Sequence, residues 1–133
     1  MNTHFTYSVR VYWEDTDAGG VVYYANYLKF MERARTEWLR SLGFEQDTLR
    51  DRDQRVFVVR RVEIDYLAPA RLDDLLTLDT QLVGITRTSM TVTQTIGAGK
   101  PLTQARVQLA CVDAVSFKPA RIPATLLEKL PPP

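Results

Sequence analysis

The chain carries a single cysteine and a single histidine in 133 residues. Cys111 has no cysteine to pair with inside the chain, and so few thiol and imidazole groups exclude the usual zinc constellations. A Ser-His-Asp or Cys-His relay would have to recruit His4 from the start of an edge strand. No apolar run approaches the ~20 residues of a membrane span, so no integral membrane segment is expected. The first residues lack the charged stretch and apolar run of a secretory leader, and the expected compartment is the cytoplasm. An excess of one charge is also missing: Lys and Arg total 17 against 16 Asp and Glu, a formal net charge of +1. A nucleic-acid partner bound through a broad basic surface is therefore not expected. Neither is a metal or another cofactor.

What remains is the composition of a globular protein, 45% hydrophobic and 25% charged. A length of 133 residues fits one domain, 1–133, burying roughly two-thirds of its unfolded surface without staples. Residues 5–13 alternate, with Phe5, Tyr7, Val9, Val11 and Trp13 on one face, and predict a half-buried strand. Residues 24–42 switch to helical spacing. Tyr27, Met31, Ala34, Trp38 and Leu42 form an apolar stripe, flanked by the charges of Glu32, Arg33, Arg35, Glu37 and Arg40. Gly43 suits the residue that ends this helix. A polar stretch, 45–55, is expected to carry one short helical turn.

From residue 56 onward the pattern is strand. Val56, Val58, Val62, Ile64 and Tyr66 are in phase, with Arg60 as the one charged interruption, which needs a partner or a wet cleft. Pro69 marks a turn or bulge across 67–74. Strands are expected at 75–84, 88–96 and 102–115, with a hairpin turn at Gly97-Ala98-Gly99-Lys100. Ala105, Val107, Leu109 and Cys111 point one way, so Cys111 reads as a small core residue. Pro123 opens a short terminal helix, and the prolines at 131–133 read as a frayed end. Consecutive hairpins imply an antiparallel sheet, and one long apolar helix must bury itself on that sheet's apolar face. The expected class is α+β, with the sheet curled around a central helix.

The stretch most informative about chemistry is EDTDAGGVVYYAN, Glu14 to Asn26. A carboxylate here lies beside a glycine pair and the opening of the long helix. Unpaired N–H groups and the positive end of the helix dipole can hold an oxyanion, while a carboxylate attacks or activates water. Acyl transfer needs both. Asp17 is the candidate carboxylate, ionised at neutral pH as aspartates ordinarily are. Its plainer role is to cap a turn. Glu14 and Asp15 read as loop or capping residues, and Gly19 and Gly20 as conformational necessities or points of close ligand approach. Asn26 caps the helix or turns toward substrate, with capping favoured. A calcium loop starting at Asp15 fails, because Asn26 stands where the bidentate glutamate belongs.

These blocks resemble the hotdog-fold acyl-CoA thioesterases, in particular the Tol–Pal-associated branch related to 4-hydroxybenzoyl-CoA thioesterase. The resemblance runs through VYWEDTDAGGVVYYANYLKFMERARTEW (11–38), FVVRRVEIDYLAPARLDD (57–74), TRTS (86–89) and ACVDAVSFKP (110–119). It implies that Asp17 is catalytic and that the thioester carbonyl sits near the backbone N–H of Tyr24. It implies side-by-side pairing of two chains through their sheets, as a homodimer or a homotetramer built as a dimer of dimers. CoA would bind near that interface, with Arg87, Ser89, Lys118 and Arg121 near its pantetheine arm or nucleotide. Gly20, Asn26 and Arg60 join these as candidate substrate contacts. Many members of the branch have histidine where this chain has Tyr24, so a histidine base is not offered there and Asp17 bears more of the work. The competing readings are a non-catalytic acyl-CoA-binding module and a hotdog dehydratase or isomerase, whose chemistry usually wants a histidine.

Overall fold

Five strands form one antiparallel sheet in the computed structural model, which describes residues 3–133. Met1 and Asn2 lie outside the described residues. The strands are β1 (His4–Arg10), β2 (Arg55–Tyr66), β3 (Leu75–Ile85), β4 (Ser89–Gly97) and β5 (Pro101–Asp113), and their order across the sheet is β1-β3-β4-β5-β2. Among the described residues there are also three α-helices, α1 (Asn26–Ser41), α2 (Gln46–Asp53) and α3 (Ala124–Leu127). This is the α+β hotdog arrangement, with α1 packed against the sheet's apolar face.

Strict alternation creates that face. Leu76, Leu78 and Leu82 of β3 and Met90, Val92 and Ile96 of β4 are all buried. From α1, Tyr27, Phe30, Met31, Ala34, Trp38 and Leu39 fill the space above them. Phe30 and Met31 have no exposed surface, so truncating Phe30 to alanine is expected to cost about 3–5 kcal/mol. Gly43 ends α1 as expected, at φ +91° with its N–H donating to the Arg40 carbonyl.

Several expectations are corrected. The first strand stops at Arg10, and Trp13 does not share the face of Phe5, Tyr7 and Val9. It enters a short 3₁₀ turn, Trp13–Asp15, because the Asp15 carboxylate accepts the Tyr12 N–H at 2.8 Å and winds the backbone. Trp13 is left 80% exposed. In β2 the phase does not run unbroken from Val56 to Tyr66. Val59 pairs with Leu109 and Arg61 with Gln108, so Arg60 is the extra residue of a bulge. One inserted residue inverts the alternation. Phe57 therefore lies opposite buried Cys111, ahead of the bulge, while Val62 and Ile64 face the core after it.

The polar stretch forms a full eight-residue helix, α2, anchored by buried Leu49 and ended at Gln54, φ +54°. Arg35 is not a solvated flank. It is buried, and its Nη1 donates to Gln94 Oε1 at 3.0 Å. The Gln94 amide in turn donates to the Met31 carbonyl and to Thr80 Oγ1, each at 3.0 Å. Gln94 and Thr80 are fully buried, so a polar strip crosses the helix–sheet interface. Burial lowers the Arg35 pKa, partly offset by Glu32. Pro131, expected to fray, is buried.

Candidate active site

Residues 16–22 fold into a small hairpin. Thr16 bridges Val22, the Asp17 N–H donates to the Val21 carbonyl at 2.9 Å, and the Gly20 N–H donates to the Asp17 carbonyl at 3.0 Å. Gly20 at φ +76° completes a tight turn closed by a left-handed residue, which a side chain would strain. The DAGG sequence supplies the turn chemistry: an aspartate in first position, whose Oδ1 accepts the Gly19 N–H at 2.8 Å. A Cβ on Gly19 would stand 3.2 Å from that same oxygen. The capping role weighed for Asp17 is thus real. It engages one carboxylate oxygen and leaves Oδ2 without a donor among the described residues, on an exposed side chain.

The hairpin's returning arm leads into α1, and the acidic loop grips that junction twice. The Asp15 carbonyl accepts the Tyr23 N–H at 3.1 Å and the Asn26 side-chain amide at 2.9 Å. Asn26 does not cap the helix: Ala25 occupies the cap position and makes no side-chain bond, and Asn26 is the first helical residue. Capping is replaced by a strut between loop and helix. The Asn26 N–H donates to the Tyr23 carbonyl at 2.8 Å. In a trans peptide the Tyr24 N–H points opposite to that carbonyl, away from the helix. It donates to no group among the described residues. Tyr24 lies two residues beyond Val22, on the returning arm of the hairpin.

Around Tyr24 lies an aromatic cluster that sequence reasoning missed. The Tyr24 ring centroid is 4.8 Å from that of Tyr23 and 6.3 Å from that of Tyr66, and Tyr66 also packs edge-on against Tyr27 at 5.5 Å. The Tyr66 hydroxyl donates to the Tyr24 carbonyl at 3.0 Å. Tyr66 is in phase with Ile64, and the helix-facing side of β2 was the available signal for it.

The basic candidates separate. Arg87 and Arg121 line one pocket of about 470 Å³ together with Asp53, Arg55 and Leu127. The Ile122 N–H donates to the Arg87 carbonyl at 2.8 Å, and Arg55 Nε donates to the Arg121 carbonyl at 3.1 Å. Arg55, unremarked in the sequence, therefore ties β2 to the limb that carries Arg121. Ser89, Lys118 and Arg60 are not among the residues lining this pocket. The Ser89 hydroxyl shares a 2.7 Å hydrogen bond with Thr86 Oγ1, Lys118 is exposed in the turn after β5, and Arg60 is exposed on the β2 bulge.

His4 lies outside this loop, its Nδ1 2.6 Å from Asp79 Oδ2 across the β1–β3 pair. Cys111 is buried, and burial raises its thiol pKa. Among the described residues no group of three or more His, Cys, Asp and Glu side chains is arranged to hold a metal ion. No helix among them is long and apolar enough to cross a membrane.

Comparison with known proteins follows the same lines. The family model of the thioesterase superfamily matches residues 19–105. The acyl-CoA thioesterase YbgC of Haemophilus influenzae is 46% identical over 124 residues, 92% of this chain and 91% of that protein. The acyl-CoA thioester hydrolase YbgC of Escherichia coli O6:H1 is 46% identical over 130 residues, 96% of each chain. Among solved structures, a probable thioesterase from Bartonella henselae superposes with a TM-score of 0.86 at 38% identity, covering 90% of this chain and 99% of that one. By the family model and these relatives, the chain belongs to the thioesterase superfamily.

Proposed function

We propose that this chain is a single-domain acyl-CoA thioester hydrolase in which Asp17 opens the thioester and the Tyr24 N–H binds the oxyanion. This reading is supported by two features among the described residues: one Asp17 carboxylate oxygen has no donor, and the Tyr24 amide at the start of α1 has no acceptor. The relatives named as acyl-CoA thioesterases supply the substrate class.

The thioester oxygen accepts the Tyr24 N–H, and the adjacent helix start adds its positive potential. Two routes use the same Asp17 oxygen. As a base it takes a proton from water, and the hydroxide adds to the carbonyl carbon. As a nucleophile it adds directly, giving a mixed anhydride that water then cleaves. In both, collapse of the tetrahedral adduct breaks the C–S bond and CoA departs as a thiolate, a leaving group that needs little acid assistance.

Arg87 and Arg121 are proposed to hold the CoA phosphates, for which paired guanidinium groups are suited. Ser89, Lys118 and Arg60 are proposed contacts along the pantetheine arm, and Gly20 and Asn26 shape the loop that receives the thioester. The occupied form is proposed to be a homodimer or a dimer of dimers, working in the cytoplasm. β2 supports pairing: it is a twelve-residue edge strand carrying Val58 and Val59, 37% and 48% exposed. An uncovered edge strand of that length is one that proteins ordinarily cover or blunt with charge, and here the apolar stretch is confined to the half before the bulge. Light scattering should report at least a dimer, and a stable monomer at micromolar concentration would remove this part of the proposal.

A panel of aliphatic and aromatic acyl-CoAs with thiol detection tests the function. Release of free CoA supports hydrolysis. A calorimetric binding signal with no thiol release would make the chain a binding module instead. An intact thioester with a shifted double bond would make it an isomerase or dehydratase.

A further inference from the structure

We propose that Tyr66 is a positioning residue for thioester hydrolysis: by holding the Tyr24 carbonyl, its hydroxyl keeps the Tyr24 N–H aimed at the substrate oxygen. The inference rests on the assignment of that N–H as oxyanion donor.

Tyr24 precedes Ala25, the cap residue whose carbonyl is the first that α1 uses, so the Tyr24 carbonyl lies outside the helix ladder. The Leu28 N–H donates to the Ala25 carbonyl at 3.2 Å, and among the described residues α1 supplies no donor to the Tyr24 carbonyl. The Tyr66 hydroxyl, reaching across from the last residue of β2, supplies the missing donor at 3.0 Å. Residue 24 is then fixed on both sides. Its N-terminal peptide is held through the Tyr23 carbonyl by the Asn26 N–H, and its C-terminal peptide by Tyr66. With both planes held, the free N–H has one direction. An oxyanion donor is effective only when it needs no reorganisation as charge develops.

The anchor is itself rigid. Tyr66 packs edge-on against Tyr24 and against buried Tyr27, whose own hydroxyl accepts the Ala70 N–H at 3.0 Å. Just beyond, the Leu67 and Ala68 N–H groups both donate to the Leu102 carbonyl, and the Val22 N–H donates to the Ala70 carbonyl. The strand end therefore grips both the hairpin and the helix start. Burial, then Tyr24 and Tyr27, raise the Tyr66 pKa, so the phenol stays protonated as a donor at neutral pH.

Tyr66→Phe removes the hydroxyl and keeps the ring. With butanoyl-CoA and benzoyl-CoA as substrates, kcat is expected to fall about 5- to 20-fold while KM stays within about twofold, since the interaction gains strength only as the oxyanion forms. A second readout separates aim from packing. In an Asp17→Asn background, the infrared stretch of a ¹³C-labelled benzoyl-CoA carbonyl should lie lower when bound than when free, and adding Tyr66→Phe should reverse much of that shift. Unchanged kcat, or an unchanged carbonyl stretch, overturns the proposal. If Asp17→Asn hydrolyses the labelled thioester at the parent rate, the fault lies in the catalytic assignment and not in Tyr66 alone. Should Tyr66→Phe melt too low to assay, 3-fluorotyrosine at position 66, which keeps the ring and donates more strongly, should deepen the bound carbonyl shift; an unchanged shift in that folded protein would also overturn the role.

Discussion

The Asn26 side-chain amide donates to the Asp15 carbonyl at 2.9 Å, bracing the acidic loop against the first residue of α1. The Tyr23 N–H shares that acceptor at 3.1 Å. The two arms of the candidate site are thus held apart by a strut whose direction depends on the donor. Asn26→Asp keeps the shape and replaces the amide donor with a carboxylate facing a carbonyl. The expected outcome is a fall of about tenfold in kcat/KM, since displacing reacting groups by fractions of an ångström is costly. Circular dichroism should show the helix intact.

The two adjacent glycines should fail in different ways. Gly20 is at φ +76° with open space around it, so Gly20→Ala is expected to cost stability, about 1–2 kcal/mol of left-handed backbone strain. At Gly19 a methyl would meet the Asp17 carboxylate at 3.2 Å. Gly19→Ala should therefore displace that carboxylate and lower kcat severalfold with a nearly unchanged melting temperature. Parallel thermal melts and steady-state kinetics on the two variants check the contrast.

Arg35 and Gln94 should behave as a unit. Gln94→Leu leaves the Arg35 Nη1 and the Thr80 hydroxyl without their partner in a buried site, at an expected cost of about 2–3 kcal/mol. Adding Arg35→Met removes the stranded charge and should recover much of the loss. Urea denaturation of the four proteins in the cycle measures this coupling; additive losses would show that the strip carries no cooperative energy.

Acid stability should depend on Asp113. Its carboxylate accepts the Ser116 and Val115 N–H groups at 2.9 and 3.0 Å, and these bonds hold its pKa below the ordinary carboxylate range. A carboxyl whose pKa is lower folded than unfolded stabilises the fold above the unfolded value. That contribution disappears as pH falls through the folded value. Asp113→Asn should flatten this acid limb and lower the melting temperature at pH 7 while changing it little at the acid end. Melting curves between pH 2 and pH 7 provide the check.

How much of this was legible in the sequence follows from what each signal depends on. Period-two alternation in β5 placed Ala105, Val107, Leu109 and Cys111 correctly because β5 carries no insertion along that stretch. The same reasoning misplaced Val56 and Val58, since a bulge is one extra residue with no composition of its own, and Arg60 in an apolar run looked like an interruption when it was the insertion. Arg35 was read as a solvated flank although it lies four residues from both Met31 and Leu39, on the edge of the apolar stripe. Its hydrogen-bond partner, Gln94, is 59 residues away. The DAGG turn was readable because aspartate and glycine specify turn geometry locally. Tyr66 was not, because its role depends on where the end of β2 meets the start of α1. Of the candidate CoA contacts Arg87, Ser89, Lys118 and Arg121, Arg87 and Arg121 line one pocket, whereas Ser89 and Lys118, like Arg60, fall outside its lining.

The central claim is that the Asp17 carboxylate opens the thioester. Turnover of the preferred acyl-CoA by Asp17→Asn, followed through thiol release, tests it most directly. The account predicts a loss of about 10² to 10⁴ in kcat with the fold and CoA affinity retained. Hydrolysis by this variant at the parent rate would contradict it.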